Sequence, residues 1–393
     1  VLDFSEHGFV PSAAAVLADF GADVVKIERL RGDAMRGIIA SGMVATVDGY
    51  DYLFELVNRN KRGIALDVEA PSGREVFERL VRWADVYVTN QLPRVRKKLR
   101  TDPADLFAIN PKLVYAKGHG QGQRGGEADA GGYDAVSYWA RGGVAHVLTD
   151  PSASQPAQQR PALGDLPSGM FFAGGICAAL VHALRSGEGI VVDTSLLSGA
   201  IWTLGPDMAY ASMAGAQLPT NAGPRSPLTH QYRTSDRRFV SLMMIDESRY
   251  WAQACRALGV DDLIDQFPDP GSRQVGWPVV RERFDQVIQG LTAAELSGRL
   301  RAQDCIFSFY SSPSEVLQDP AALDNGYLMP HPAKPELRLA AAPVQFDDEI
   351  PAVRRPGPRL GQHTREVLAD LGYEAPDAER LLADGVVAGP TTV

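Results

Sequence analysis

Apolar positions along the first two hundred residues fall into short β-branched runs separated by stretches of helical period. That alternation predicts a mostly parallel sheet covered by helices, an α/β fold of Rossmann-like character. VLDF at the start, DVVKIE, GIALDV, DVYVTN and LVYAKG read as strands. Between them PSAAAVLADFG reads as a helix with Pro11 in its first turn and Gly21 at its end, SGREVFERLVRWA as an amphipathic helix from about Ser72, and DPADLFAIN as a shorter one. A Gly, Ala, Gln and Ser rich passage over residues 118–159 breaks the rhythm, and a passage of that length in a compact domain carries function or moves. A largely apolar helix follows from Leu166 to about Arg185 with a stop at Gly187 and Gly189, then the strand GIVVDTSLL and one more helix.

Beyond the linker-like TNAGPRSP, HQYRTSDRRFVSLMMI reads as a hairpin turning at SDRR. The expected division is a large domain from residues 1–200, a linker over 201–225, a small α+β domain over 226–320, and a C-terminal part over 321–393 that returns to the large domain. In that tail APVQFDDEIP is expected to be extended and GQHTREVLADLGYEAPDAERLLADGVV helical with a final strand.

Composition narrows the function. The chain has 393 residues, 45% of them hydrophobic, enough for more than one sizeable core, and a formal net charge of −9 that sets the default against nucleic acid and anionic membrane. No charge-free apolar run of membrane-spanning length and no signal peptide is expected, so the protein is expected to be soluble and cytoplasmic. Cys177, Cys255 and Cys305 stand far apart with no metal-ligand spacing, and no histidine pair or H-E-x-x-H is present, so neither a disulfide framework nor a metal site is indicated. The cluster GHGQGQRGG follows a strand but misses G-x-G-x-x-G and lacks Gly-Lys-Ser/Thr, so it reads as an active-site or surface loop, with His119 read as a solvated loop histidine or one facing a ligand. No G-x-S-x-G elbow marks a serine hydrolase.

Asp165, just before the long apolar helix, has two compatible readings. It is an N-cap that accepts backbone N–H bonds, or a carboxylate placed beside amides that stabilise an oxyanion. Two basic stretches near strand ends, RNKR at 59–62 and RVRKKLR at 94–100, read either as an anion site or as charged faces in water.

Five stretches in order resemble the family III coenzyme A transferases. They are LADFGADVVKIER with Gly32 and Asp33, NRNKRGIALDV, ADVYVTN, ALGDLPSGM with ALRSGEGIVVDTSLL, and GQHTREVLADLG with GVV. This family includes formyl-coenzyme A and carnitine coenzyme A transferases and 2-methylacyl-coenzyme A racemases. The resemblance implies a Rossmann-like large domain built from both chain ends, a smaller inserted domain and an interlocked homodimer. It implies Asp165 as the nucleophile, and coenzyme A contacts at Arg29, Leu66, Asp67, Asn90, Gln91, Lys98, Tyr133 and Asp134. No permanently bound cofactor is implied; acyl-coenzyme A and a carboxylic acid acceptor are the substrates. An Asp of ordinary pKa near 3.9 needs no activating base.

The chain departs from relatives at Phe9, Val10 and Pro11, where Ala-Gly-Pro is common, and in lacking a clear Gly-rich lid within TNAGPRSPLTHQY, which argues against a small acid such as oxalate. Gly132, Tyr133 and Asp134 stand where racemases carry Gly-His-Asp, and the missing imidazole counts against racemisation. A racemase pairing Asp165 with Asp134 or Tyr133, and a non-catalytic coenzyme A binding relative, remain as alternatives.

Overall fold

Short apolar runs in the first half of the chain form six parallel strands: β1 (Leu2–Phe4), β2 (Val25–Glu28), β3 (Arg62–Leu66), β4 (Val86–Thr89), β5 (Val114–His119) and β6 (Ile190–Ser195). The structure, a computed structural model, describes residues 1–38, 41, 42, 44, 50–219 and 225–390. Most of TNAGPRSP therefore lies outside the described residues.

Between and after these strands run α1 (Phe9–Asp19), α2 (Tyr52–Asn58), α3 (Pro71–Trp83), α4 (Pro93–Leu99), α5 (Pro103–Phe107), a wide helical turn at Asp134–Arg141, α6 (Val144–Leu148), α7 (Asp165–Ser186), α8 (Leu196–Thr203) and α9 (Gly205–Ala214). Helix α9 occupies much of the stretch 201–225 expected to be linker. Pro206 near its start and Gly215 at φ 65° at its end supply the start and stop signals that delimit it.

Contacts divide the chain into two units, one of Val1–Ala216 with Ala321–Val393 and one of Gln217–Pro320. The second unit holds a three-stranded antiparallel sheet, β7 (Gln231–Arg233), β8 (Phe239–Leu242) and β9 (Phe307–Phe309). Helices α10 (Glu247–Leu258), α11 (Asp262–Gln266), α12 (Pro270–Gln289), α13 (Ala293–Ala302) and α14 (Pro313–Val316) complete it, around a core that includes Trp251, Phe284 and Leu296. The expected hairpin turn at SDRR closes through Arg237, which takes φ 68°.

The first unit resumes within α15 (Pro320–Asp324) and continues into a hairpin that the sequence pattern did not predict, β10 (Leu328–His331) and β11 (Lys334–Ala340). APVQFDDEIP is not extended. Asp347 and Asp348 take φ of 52° and 57°, which breaks a strand, and Val344 and Phe346 are exposed instead of paired. Helices α16 (Thr364–Asp370) and α17 (Ala375–Ala383) lead to β12 (Val387–Ala388), which pairs antiparallel with β3 and finishes the large sheet in the order β12-β3-β2-β1-β4-β5-β6.

Each face of this sheet has its own core. Leu2, Ile27, Leu66, Tyr87 and Tyr115 pack on α3, α16 and α17, whereas Val88, Val114 and Ala116 pack on α1 and α7. Residues 166–184 of α7 carry no Asp, Glu, Lys or Arg, so by length and composition this helix is long and apolar enough to cross a membrane, contrary to the expectation of no such run. In the structure it packs against α1, β5 and β6 with Phe172, Ala173 and Ile176 buried.

Candidate active site

Strand order reverses at β1. Its sequence neighbours lie on one side through β2 and β3, and β4 lies on the other, so the loops leaving β1 and β4 diverge and open a crevice at the carboxyl edge of the sheet. A cavity of about 80 Å³ occupies that place. His7, Gly8 and Phe9 line it from the β1 side, Asn90 from β4, Gly118 to Gly120 from β5, and Tyr133, Asp134 and Asp165 from beyond.

Buried charges hold the β1 loop. Lys26 donates to the Ser5 carbonyl at 2.8 Å and pairs with Asp33 at 2.8 Å, and the other Asp33 oxygen accepts the His7 amide at 3.2 Å. His7 itself takes φ 68°. From the opposite strand, the Asn90 amide donates to the Glu6 carbonyl at 2.6 Å and accepts the Glu6 N–H at 3.0 Å. Most of the hydrogen-bonding capacity of Asn90 is therefore used in tying β4 to the β1 loop, although the residue still lines the cavity.

Asp165 is the first residue of α7, not its cap. Gly164 takes the N-cap position, and the capping carboxylate comes from Asp134, thirty-one residues earlier, which accepts the Gly164 N–H at 3.1 and 3.0 Å and the Asp165 N–H at 3.4 Å. With that duty taken by Asp134, the Asp165 carboxylate makes no hydrogen bond among the described residues. Burial, with the nearby Asp134 charge adding to it, pushes the Asp165 carboxyl up to about 7. This corrects the expectation of an ordinary, fully ionised carboxylate. Burial raises Asp134 as well, partly offset by the two amides it accepts.

The Asp165 carboxylate lies against the start of α1. A Cβ built on Gly8 would stand 2.2 Å from Asp165 Oδ2, so only glycine admits this approach. The N–H groups of Phe9 and Val10 in the first turn of α1 have no partner among the described residues, as expected at a helix N-terminus without a side-chain cap. Helices α1 and α7 pack closely because Gly169 faces Ser12, whose hydroxyl donates to Phe9 O at 2.7 Å.

Within the glycine cluster after β5, Gly120 serves a backbone crossing, since a Cβ there would meet the Gly132 Cα at 2.5 Å. His119 is not a solvated loop residue. It ends β5, is 4% exposed at its side chain, and sets Nε2 2.9 Å from Asp193 Oδ2 on β6.

The structure thus gathers Asn90, Tyr133, Asp134 and Asp165 on one cavity, with Tyr133 exposed and edge-on to the His7 ring at 5.2 Å. Arg29, Asp67, Gln91 and Lys98 lie along the same carboxyl edge outside the cavity wall. Arg29 is partly exposed, 3.9 Å from Glu6; Asp67 accepts the Glu69 amide; and Lys98 pairs with Glu69 at 2.8 Å. Leu66 departs from its expected role, because its side chain is 1% exposed and packs in the core, so any contact there comes from its backbone.

The RNKR cluster is not an anion site. Arg59 pairs with Asp19, buried Lys61 with Asp3, and Arg62 with Asp23, Glu366 and Asp370, so its charges are already neutralised within the protein. Arg96 is likewise held by Asp102 and the Gln91 carbonyl. Sequence reasoning missed His7, Gly8 and the Asp134 cap. Gly8 left one signal, a glycine between a strand and a helix, but nothing in sequence tied it to Asp165.

The sequence pattern of CoA-transferase family III matches residues 1–364. The chain belongs to this family. Among relatives of this CoA-transferase, the (R)-2-hydroxy-4-methylpentanoate CoA-transferase of Clostridioides difficile is 29% identical, with 95% of this chain and 94% of that protein covered. The succinyl-CoA:mesaconate CoA-transferase of Haloarcula hispanica is 30% identical, covering 95% of each. A CAIB/BAIF family protein from Brucella suis superposes with a TM-score of 0.78 over 94% of this chain and 97% of that one, at 24% identity, and shares the fold. The protein is a CoA-transferase enzyme, for which coenzyme A is a substrate.

Proposed function

We propose that this enzyme moves coenzyme A between two carboxylic acids through covalent intermediates on Asp165. One observation carries the reading: a carboxylate at the strand-order reversal, free of hydrogen bonds among the described residues and pressed against Gly8 beside the open amides of α1.

The ionised Asp165 attacks the thioester carbonyl; a C–O bond forms, the C–S bond breaks, and coenzyme A leaves as thiolate, giving a mixed anhydride. The thiolate attacks the aspartyl carbonyl and expels the donor acid as carboxylate, which leaves an aspartyl thioester. The acceptor carboxylate attacks that thioester, releases the thiolate and forms a second anhydride. Attack of the thiolate on the acceptor's carbonyl then yields the new acyl-coenzyme A and restores Asp165. Each tetrahedral oxyanion forms near the positive end of α1, whose Phe9 and Val10 amides are suited to receive it. Arg29 and Lys98, at the same edge of the sheet, offset phosphate charge of coenzyme A in this reading, Lys98 by exchanging its exposed partner Glu69 for the ligand.

Acids with a second polar group are the class favoured by relatives, which include CoA-transferases named for 2-hydroxy-4-methylpentanoate, phenyllactate, mesaconate and glutarate. The test is mass spectrometry of the Asp165 peptide after incubation with acyl-coenzyme A esters and quenching with hydroxylamine or borohydride. Modification at Asp165, with kcat/KM declining as pH falls through about 7, is the expected result. Full turnover by Asp165→Ala would remove this mechanism.

A further inference from the structure

Lys61 is the most deeply buried residue of the RNKR stretch, and the transfer steps above give it no task. Its side chain and that of Asp3 are both fully shielded from solvent, and an ammonium placed so deep has to be met by acceptors. Three acceptors meet it: Nζ donates to Asp3 Oδ2 at 2.7 Å, to the Pro11 carbonyl at 2.8 Å and to Asn58 Oδ1 at 3.0 Å. The Asn58 side-chain nitrogen donates to the Phe54 carbonyl at 3.1 Å, which leaves its oxygen for Lys61.

These acceptors belong to different elements, and a pair of them brackets one stretch of chain. Asp3 lies in β1 and Pro11 in the first turn of α1, so a single amine grips both ends of the segment from Phe4 to Val10. That segment carries Gly8, against which the Asp165 carboxylate lies, and the open amides of Phe9 and Val10. Lys26 holds the same segment at its middle, through the Ser5 carbonyl and through Asp33, which accepts the His7 amide. An aliphatic side chain in place of Lys61 would fill the same space without the cost of burying a charge, so packing alone does not call for a lysine. What an aliphatic chain lacks is the directional bonds that fix the span from Asp3 to Pro11.

We infer that Lys61 is a positioning residue of the reaction, which grips Asp3, Pro11 and Asn58 and so holds the segment between β1 and α1 where Gly8 meets Asp165 and the Phe9 and Val10 amides stand beside it. This rests on the transferase reading above, in which those amides receive the oxyanion. Shielded from solvent, Lys61 touches neither substrate nor coenzyme A and acts through the backbone of the segment. Losing the grip displaces groups whose placement sets the rate, at a cost of about 10–100-fold in kcat. Coenzyme A affinity changes little, because Arg29, Asp67, Gln91 and Lys98 belong to other segments.

The experiment compares wild type with Lys61→Met, which keeps the length and removes the amine, and with Asp3→Asn/Lys61→Met, which leaves no buried carboxylate unpaired. Calorimetry with coenzyme A gives the fraction of protein that binds and its affinity, kcat is expressed per binding site, and the pH profile of kcat/KM is recorded. In the double variant kcat per binding site is expected to fall by about 10–100-fold with little change in affinity. Its acid limb, set in wild type at about 7 by Asp165, is expected to move toward the ordinary carboxylate range, because a loosened segment admits water to that carboxylate. Asp134, the other charge acting on Asp165, is untouched by either substitution. Loss of stability alone lowers the fraction that binds and moves neither the rate per site nor the limb. A wild-type rate per site in the double variant, or a limb that stays at about 7, overturns the inference and leaves the transferase reading standing. Failure of both variants to bind coenzyme A overturns it too, since the grip would then be a requirement of the fold and not of the reaction. Absence of turnover and of Asp165 modification in the wild-type protein removes the transferase reading, and this inference with it.

Discussion

The carboxylate proposed as the nucleophile is held where ionisation is costly. Asp165 has no hydrogen bond to stabilise its charge, and it titrates near 7 because of burial first and the Asp134 charge second. The sign of the stability effect follows. The folded protein binds this proton more tightly than the unfolded chain, so the contribution is fully present below the ordinary Asp value near 3.8 and is lost as pH rises through about 7. Asp165→Asn, which has no charge to bury, should melt like wild type at about pH 4 and about 2–4 °C higher at about pH 8, while losing turnover. Thermal melts across that range check it; a gap that does not widen with pH would mean the carboxylate is not held against ionisation. The sequence revealed Asp165 as a group of interest through its place before a long apolar helix and through family resemblance. It gave no sign of the raised pKa, because the cap that frees Asp165 comes from Asp134, and the pairing of a helical turn with a distant helix start is a tertiary fact.

At the scale of elements, the strands of the large sheet were legible as short apolar runs, nearly all of them buried at every position, and most helices by their helical period or their bounding Gly, Pro or charge. Where the period was short or mixed, reading failed. APVQFDDEIP has strand-like residues but two consecutive aspartates in left-handed backbone, and the β10–β11 hairpin, with its proline-interrupted strands, looked like coil. The site depends on an element pair that periodicity does not describe, namely how closely α1 meets α7. Ser12 against Gly169 and Gly8 against Asp165 set that approach. Gly8→Ala should therefore rotate the carboxylate or push α1 away, lowering kcat by about 10–100-fold, since small misplacements of a nucleophile carry penalties of that order. Coenzyme A affinity, measured by calorimetry, should change little because most of its expected contacts, Arg29, Leu66, Asp67, Gln91 and Lys98, lie outside the cavity that Gly8 lines. Equal loss of binding and rate would place Gly8 in the coenzyme site and not in the alignment of Asp165.

The whole molecule joins a large sheet finished by the last strand of the chain to a second unit with its own interior. In residues 217–320, Trp251, Val280, Phe284, Ile288, Leu296 and Leu300 are each about fully buried, and the three-stranded sheet is satisfied within the unit. A segment of roughly a hundred residues with a complete core is large enough to fold by itself. Expressed alone, this fragment should unfold in one cooperative step in urea, with a slope of roughly 1 kcal/mol/M. Trp251, 1% exposed, provides the signal, because its fluorescence shifts to longer wavelength when water reaches the indole. A gradual, non-cooperative shift would mean that the core of this unit forms only with the large sheet present, and that the two units are a single folding unit despite their separate interiors.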